Sequence, residues 1–125
     1  MNPTSKSLIL KAQDNLDTAK KHLADESQHD VVGYNLAQAT ECLLKALCAT
    51  RDLPFPEGDA AHDLDALMEV LEEDNLAAVS SHADVIELTQ YNNPNSKVRE
   101  DDRLDLEEYF GLVEDLKKLV REHTM

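Results

Sequence analysis

Three glycines in 125 residues leave little material for a glycine-rich phosphate loop, and the chain carries neither a zinc motif nor a nucleophile elbow. Only two cysteines are present, Cys42 and Cys48. Six positions apart on one helix they would sit roughly 120° from each other around its axis, too far apart to join, so they read as small core side chains in a reduced compartment. No apolar run approaches the ~20 residues that a bilayer span needs, and no basic flank followed by an apolar signal core opens the chain. A cytoplasmic protein is expected. Alternation of apolar and polar residues is absent over any useful length, which argues against a sheet.

Basic charge is also scarce, with 12 Lys and Arg against 26 Asp and Glu and a formal net charge of −14. Its placement is uneven: residues 1–50 hold 5 basic and 6 acidic side chains, residues 51–100 hold 3 and 12, and residues 101–125 hold 4 and 8. Such a surface repels phosphate backbones at long range, keeps a small domain in solution, and suits a basic protein partner better than bulk nucleic acid.

What the chain does have is helical periodicity, five times over, in a length that suits one domain able to bury roughly two-thirds of its unfolded surface. Asn2 can cap a first helix with Pro3 at its first position, and Ile9, Ala12, Leu16, Ala19 and Leu23 form its stripe to near Asp25. Ser27 and Asp30 read as a capping box for a long second helix ending about Asp52, before Pro54 and Pro56. Asp59 is expected to cap a third helix bearing Leu64, Leu67, Met68 and Leu71. A fourth is expected to carry Leu76, Val79, Ala83, Ile86 and Tyr91, ending before an Asn92-Asn93-Pro94-Asn95 turn. Asp101 or Asp102 is expected to cap a fifth, with Leu106, Tyr109, Phe110, Val113, Leu116 and Val120 inward. Short connections imply an all-α, up-and-down bundle of four main helices plus a shorter fifth, in a single domain over residues 1–125.

Within the second helix, Gln38, Glu41 and Lys45 fall at i, i+3 and i+7, one polar stripe beside Leu36, Leu43, Leu44 and Leu47. Glu41 and Lys45 have the favourable order for an intrahelical ion pair of about 0.3–0.5 kcal/mol, and Gln38 can reach a neighbouring loop. His62, near the start of the third helix, can satisfy an orphan backbone group or the loop after the second helix. Lys97, Arg99 and Arg103 are the basic cluster of the acidic half. They can be a solvated surface or pair with Glu100, Asp101 and Asp102, or they can meet a phosphate with Tyr91 stacking on a base. His22, Glu26 and His29 lack the matched ligands that would make a metal site, and no cofactor is expected.

The string Ala37-Gln38-Ala39-x-Glu41-x-x-Leu44-Lys45-Ala46, then His62-Asp63-Leu64, then a loop with Tyr91, Pro94 and Arg99, resembles the HEPN domain (higher eukaryotes and prokaryotes nucleotide-binding) from about residue 5 to 122. The resemblance implies a five-helix bundle, commonly homodimeric and often partnered with a small nucleotidyltransferase in a toxin–antitoxin or defence setting. Many relatives cleave RNA with an Arg, four to six arbitrary residues and a His near the last helix. This chain departs from that pattern: Arg99 and Arg103 have no such His, Arg121 is two before His123, and Arg51 is eleven before His62. No catalytic residue is therefore assigned. An interaction and nucleotide-binding module is expected, with Gln38, Glu41, Lys45, His62 and Asp63 in structural roles. The alternative is a ribonuclease whose His, from His62, His82 or His123, reaches an Arg across a dimer contact.

Overall fold

The computed structural model describes residues 2–56, 62–74, 77–93 and 97–124. Among them there is no strand: the chain is an up-and-down bundle of α1 (Pro3–His22), α2 (His29–Thr50), α3 (Leu64–Glu73), a 3₁₀ helix (Ala77–Tyr91) and α4 (Leu106–Thr124). The 10-residue α3 is the shorter extra helix.

Asn2 opens α1 as expected, its side chain accepting from the backbone of Thr4 at 2.8 Å and of Ser5 at 3.3 Å, with Pro3 following. Lys20, Lys21 and His22 occupy the last turn, where positive charge complements the helix dipole. Ala12, Leu16 and Ala19 are buried along one stripe, with Ile9 and Leu23 packed half-buried beside them. The two ends are tied by polar contacts. Asn2 donates to the Ala49 carbonyl at 3.2 Å and Ser5 Oγ to the Ala46 carbonyl at 3.0 Å, which sets the start of α1 against the end of α2 and makes the pair antiparallel.

Helix α2 is the axis of the bundle and touches α1, α3, α4 and the 3₁₀ helix. A helix surrounded by neighbours must be apolar nearly all round, and 13 of its 22 residues are buried, including Leu36, Leu43, Leu44 and Leu47 and both cysteines. Cys42 and Cys48 are free thiols, both pushed up by burial, Cys48 to about 11, so neither is a ready nucleophile. The helix stops sooner than Asp52. Leu53 N donates to the Cys48 carbonyl at 2.8 Å and Asp52 N to the Ala49 carbonyl at 3.3 Å, a Schellman closure that places Asp52 in the left-handed region at φ 55°.

Three expected caps are displaced by a few residues. Ser27 does not cap α2: Asp25 caps a short 3₁₀ turn, Glu26–Gln28, by accepting from both Ser27 N and Ser27 Oγ, and α2 follows with no side-chain cap. At α3 the cap is Asp63, which accepts from Asp65 N at 3.0 Å; the expected Asp59 lies outside the described residues. Asp101 and Asp102 form a second 3₁₀ turn, and Asp105 caps α4 by accepting from Glu108 N at 3.3 Å. Each start offers several acids in succession, and the packing of the element selects among them.

The fourth element differs in kind. Ala77–Tyr91 is two short 3₁₀ helices that meet at a kink at His82, whose φ of −109° and ψ of 16° are not helical, so each piece keeps to the short length usual for this conformation. Past the kink the buried residues Val85, Leu88 and Tyr91 are three apart, the 3₁₀ repeat, and Val79 is buried before it, whereas Ala83 and Ile86 of the expected α stripe are half-buried. Leu76 and the Pro94-Asn95 part of the expected turn lie outside the described residues.

Gly33 of α2 faces the Tyr91 ring so closely that a Cβ there would sit 2.2 Å from Tyr91 Cδ1. Gly33→Ala should therefore destabilise the fold by about 1–3 kcal/mol, as overpacking of a filled core does. Asp52→Gly should stabilise it by up to about 1 kcal/mol by removing a Cβ from a left-handed position. Urea unfolding at fixed pH measures both, and the two signs should be opposite.

Candidate polar site at the bundle core

Glu41 sits in the middle of α2, 5% exposed, and a carboxylate so placed needs partners to stay charged. It has three. Lys45 Nζ approaches Oε2 at 3.0 Å, while His62 Nδ1 at 2.8 Å and Asn92 Nδ2 at 3.0 Å both meet Oε1. Burial opposes ionisation, but the hydrogen bonds from His62, Lys45 and Asn92 and the Lys45 charge outweigh it, and the carboxyl is held below its ordinary value.

Asn92 is itself fixed on all sides. Its amide also donates to the His62 carbonyl at 2.8 Å, and its Oδ1 accepts from Gln38 Nε2. Both amide hydrogens and the oxygen are thus used. Asp63, capping α3 directly after His62, and Thr89, whose hydroxyl accepts from Leu64 N at 3.3 Å, hold the chain on which the imidazole stands. The stripe of Gln38, Glu41 and Lys45 and the His62-Asp63 pair, distant in sequence, therefore form one connected network. Gln38 does bond the loop, as expected. What sequence reasoning missed is the partner of His62: the acid lies 21 positions away, and no spacing rule links them. Lys45 also lies 5.9 Å above the centre of the half-exposed Phe55 ring.

Tyr91 does not stand at the surface as a stacking platform. It is 2% exposed, its ring lies edge-on to His29 with centroids 5.4 Å apart, and its hydroxyl meets His29 Nε2 at 2.8 Å and accepts from Leu104 N at 3.0 Å. Consecutive residues thus serve two sides: Asn92 completes the Glu41 network, and Tyr91 ties α2 to the segment before α4.

Lys97, Arg99 and Arg103 are exposed, and among the described residues none of the three forms an ion pair with Glu100, Asp101, Asp102 or another acid. The segment is anchored by Val98 N, which donates to Asp30 Oδ1 at 3.3 Å. Arg103 and His29 line a common pocket of about 300 Å³, walled by Leu23, Val32, Leu104 and Leu106 and rimmed by acids that include Glu26 and Glu107. Burial, then the Arg103 charge, lowers the His29 pKa. His22 ends α1 while Glu26 belongs to the next turn, so the two do not share a helix face. No group of three His, Cys, Asp or Glu among the described residues is disposed to hold a metal ion.

A depressed carboxylate pKa stabilises the fold above the unfolded-state value of about 4.3, and that contribution is lost as pH falls through the folded-state value. Glu41→Gln should cost about 1.5–3 kcal/mol at pH 7, where charged hydrogen bonds are lost. The gap between wild type and variant should shrink below about pH 4, read by urea unfolding across pH 3–7.

Neither a curated protein nor a solved structure matches the chain. No helix among the described residues is long and apolar enough to cross a membrane. The family model of the HEPN domain matches residues 5–123, nearly the whole length and with the Glu41–His62 network inside it, and the chain belongs to the HEPN domain family.

Proposed function

We propose that the protein is a HEPN module of the nucleotide-binding kind that works by association: a homodimer and one half of a nucleotidyltransferase pair in a toxin–antitoxin or defence system. It lacks the family's ribonuclease chemistry. The observation that carries the reading is the division of its polar groups. Gln38, Glu41, Lys45, Asn92 and His62 are bonded to one another, whereas among the described residues Lys97, Arg99 and Arg103 stand exposed and form no ion pair. Unpaired cations on an acidic body give a local anion contact, and the acidic remainder suits a basic protein surface.

A second reading is favoured by one feature, the pocket that Arg103 shares with His29. A neutral imidazole beside a guanidinium supplies a base for a hydroxyl and a cation for a phosphate, the minimum for metal-free RNA cleavage. The His then comes from α2, not from the 62, 82 or 123 positions that sequence spacing suggests.

Light scattering of the purified protein should give the mass of a dimer. Isothermal titration with ATP should show binding that Arg99→Ala and Arg103→Ala each weaken several-fold. Incubation with single-stranded RNA should yield no cleavage. Cleavage abolished by either His29→Ala or Arg103→Ala would replace the association reading with the enzymatic one.

A further inference from the structure

The Glu41–His62 pair has a polarity that a structural clasp does not require. The acid is inside and the imidazole outside: the Glu41 side chain is 7% exposed and that of His62 is 63% exposed. Nδ1 faces the carboxylate, so the ring presents Nε2 to solvent. A carboxylate accepting from Nδ1–H fixes the tautomer that leaves the Nε2 lone pair free, and it steadies positive charge that develops on the ring when that lone pair is used. Asn92 and Lys45 hold the carboxylate in turn, and Gln38 holds Asn92, so the orientation is set from behind by side chains that are not free to turn away.

We propose that His62 is a phosphoryl-accepting residue, modified at Nε2 by a phosphoramidate or acyl-phosphate donor, with Glu41 as its positioning residue. In the step, the Nε2 lone pair attacks phosphorus, a nitrogen–phosphorus bond forms, and the bond to the donor's leaving atom breaks. With phosphoramidate, zwitterionic near pH 7, the leaving group is ammonia, which takes the bonding pair and departs with the three protons its nitrogen already carries; with an acyl phosphate it is the carboxylate. Nδ1–H stays donated to Glu41 throughout, and nothing is oxidised or reduced. His62 lies one residue ahead of the Asp63 cap, at the positive end of the ten-residue α3, where added negative charge is favoured. Lys45, on the other carboxylate oxygen, adds a cation to the same network. Among the described residues no second catalytic side chain is bonded to the imidazole, which suits a carrier of the group more than a hydrolase.

The test uses the full chain and potassium phosphoramidate near pH 7, with intact mass and peptide mapping as readouts. The exposed His123 on α4, which has no buried acid behind it, is the internal reference. The expected result is one acid-labile phosphoryl group on His62, attached at Nε2 by two-dimensional NMR, and gained at least about ten times faster than on His123. Glu41→Gln, with its fold checked by circular dichroism, should bring His62 down to the His123 rate. Equal rates at the two histidines in the wild type, attachment at Nδ1, or an undiminished His62 rate in folded Glu41→Gln would each overturn the proposal. The tautomer is a measurement that needs no variant: nitrogen-15 NMR of the wild type should show Nδ1–H at His62, and Nε2–H would also overturn it.

Discussion

The constraint on which much of this molecule depends is the burial of one carboxylate. Placing Glu41 on the helix that every other helix touches takes the charge out of water, and an unpaired buried charge costs more than a domain of this size can spare. Its three donors come from three places: the same helix, the second residue before α3, and the residue after the 3₁₀ helix. Satisfying Glu41 therefore fixes where α3 starts and where the 3₁₀ helix stops. Apolar packing alone would tolerate small slides of these elements along α2, because hydrophobic contact has no direction. The hydrogen bonds do not, and the network supplies the register that the core of Leu, Val and Ala leaves loose.

The second anchor is steric. At Gly33 the Tyr91 ring occupies the space a side chain would need, so α2 and the end of the 3₁₀ helix approach more closely than two ordinary residues permit. With the ring inserted there, its hydroxyl reaches both His29 and Leu104 N, which binds the start of α2 to the segment leading into α4. Tyr91 is the last residue of the 3₁₀ helix and Asn92 the first beyond it, and the two meet different partners: Tyr91 reaches His29 and Leu104, while Asn92 reaches Glu41, His62 and Gln38. Steric fit on one side and charge satisfaction on the other both converge on the end of one element.

Much of this was legible in the residues. The all-α class, the Asn2-Pro3 start, the core stripes of α1, α3 and α4, and the Glu41–Lys45 pair follow from spacings of three and four, which local geometry enforces. The Asp25, Asp63 and Asp105 caps were not read, because each helix start offers several acids with equal local merit. The 3₁₀ winding was not read either, although Val85, Leu88 and Tyr91 repeat in threes: a period of 3.0 and one of 3.6 are hard to separate over a few turns. At the site, the stripe on α2 was visible, but its closure by His62 and Asn92, 21 and 51 positions from Glu41, was not. Nor was the meeting of His29 and Arg103. These pairings belong to topology, and short-range patterns carry no information about them.

Charge decides how the exposed cations can act. A net charge of −14 repels any anion at long range, while Lys97, Arg99 and Arg103 attract it only within about one Debye length, roughly 8 Å at physiological salt. The two effects respond differently to ionic strength: added salt first screens the distant repulsion and only at shorter screening lengths weakens the close contact. Anion binding at this segment should thus depend on salt more weakly than three phosphate contacts on a neutral protein would. A basic partner experiences the reverse. For it, the whole acidic surface steers approach and the three cations are a small local obstacle, so association should slow steadily as salt rises. The same charge distribution makes a basic protein the ligand that long-range forces deliver and a phosphate group one that only close geometry can hold.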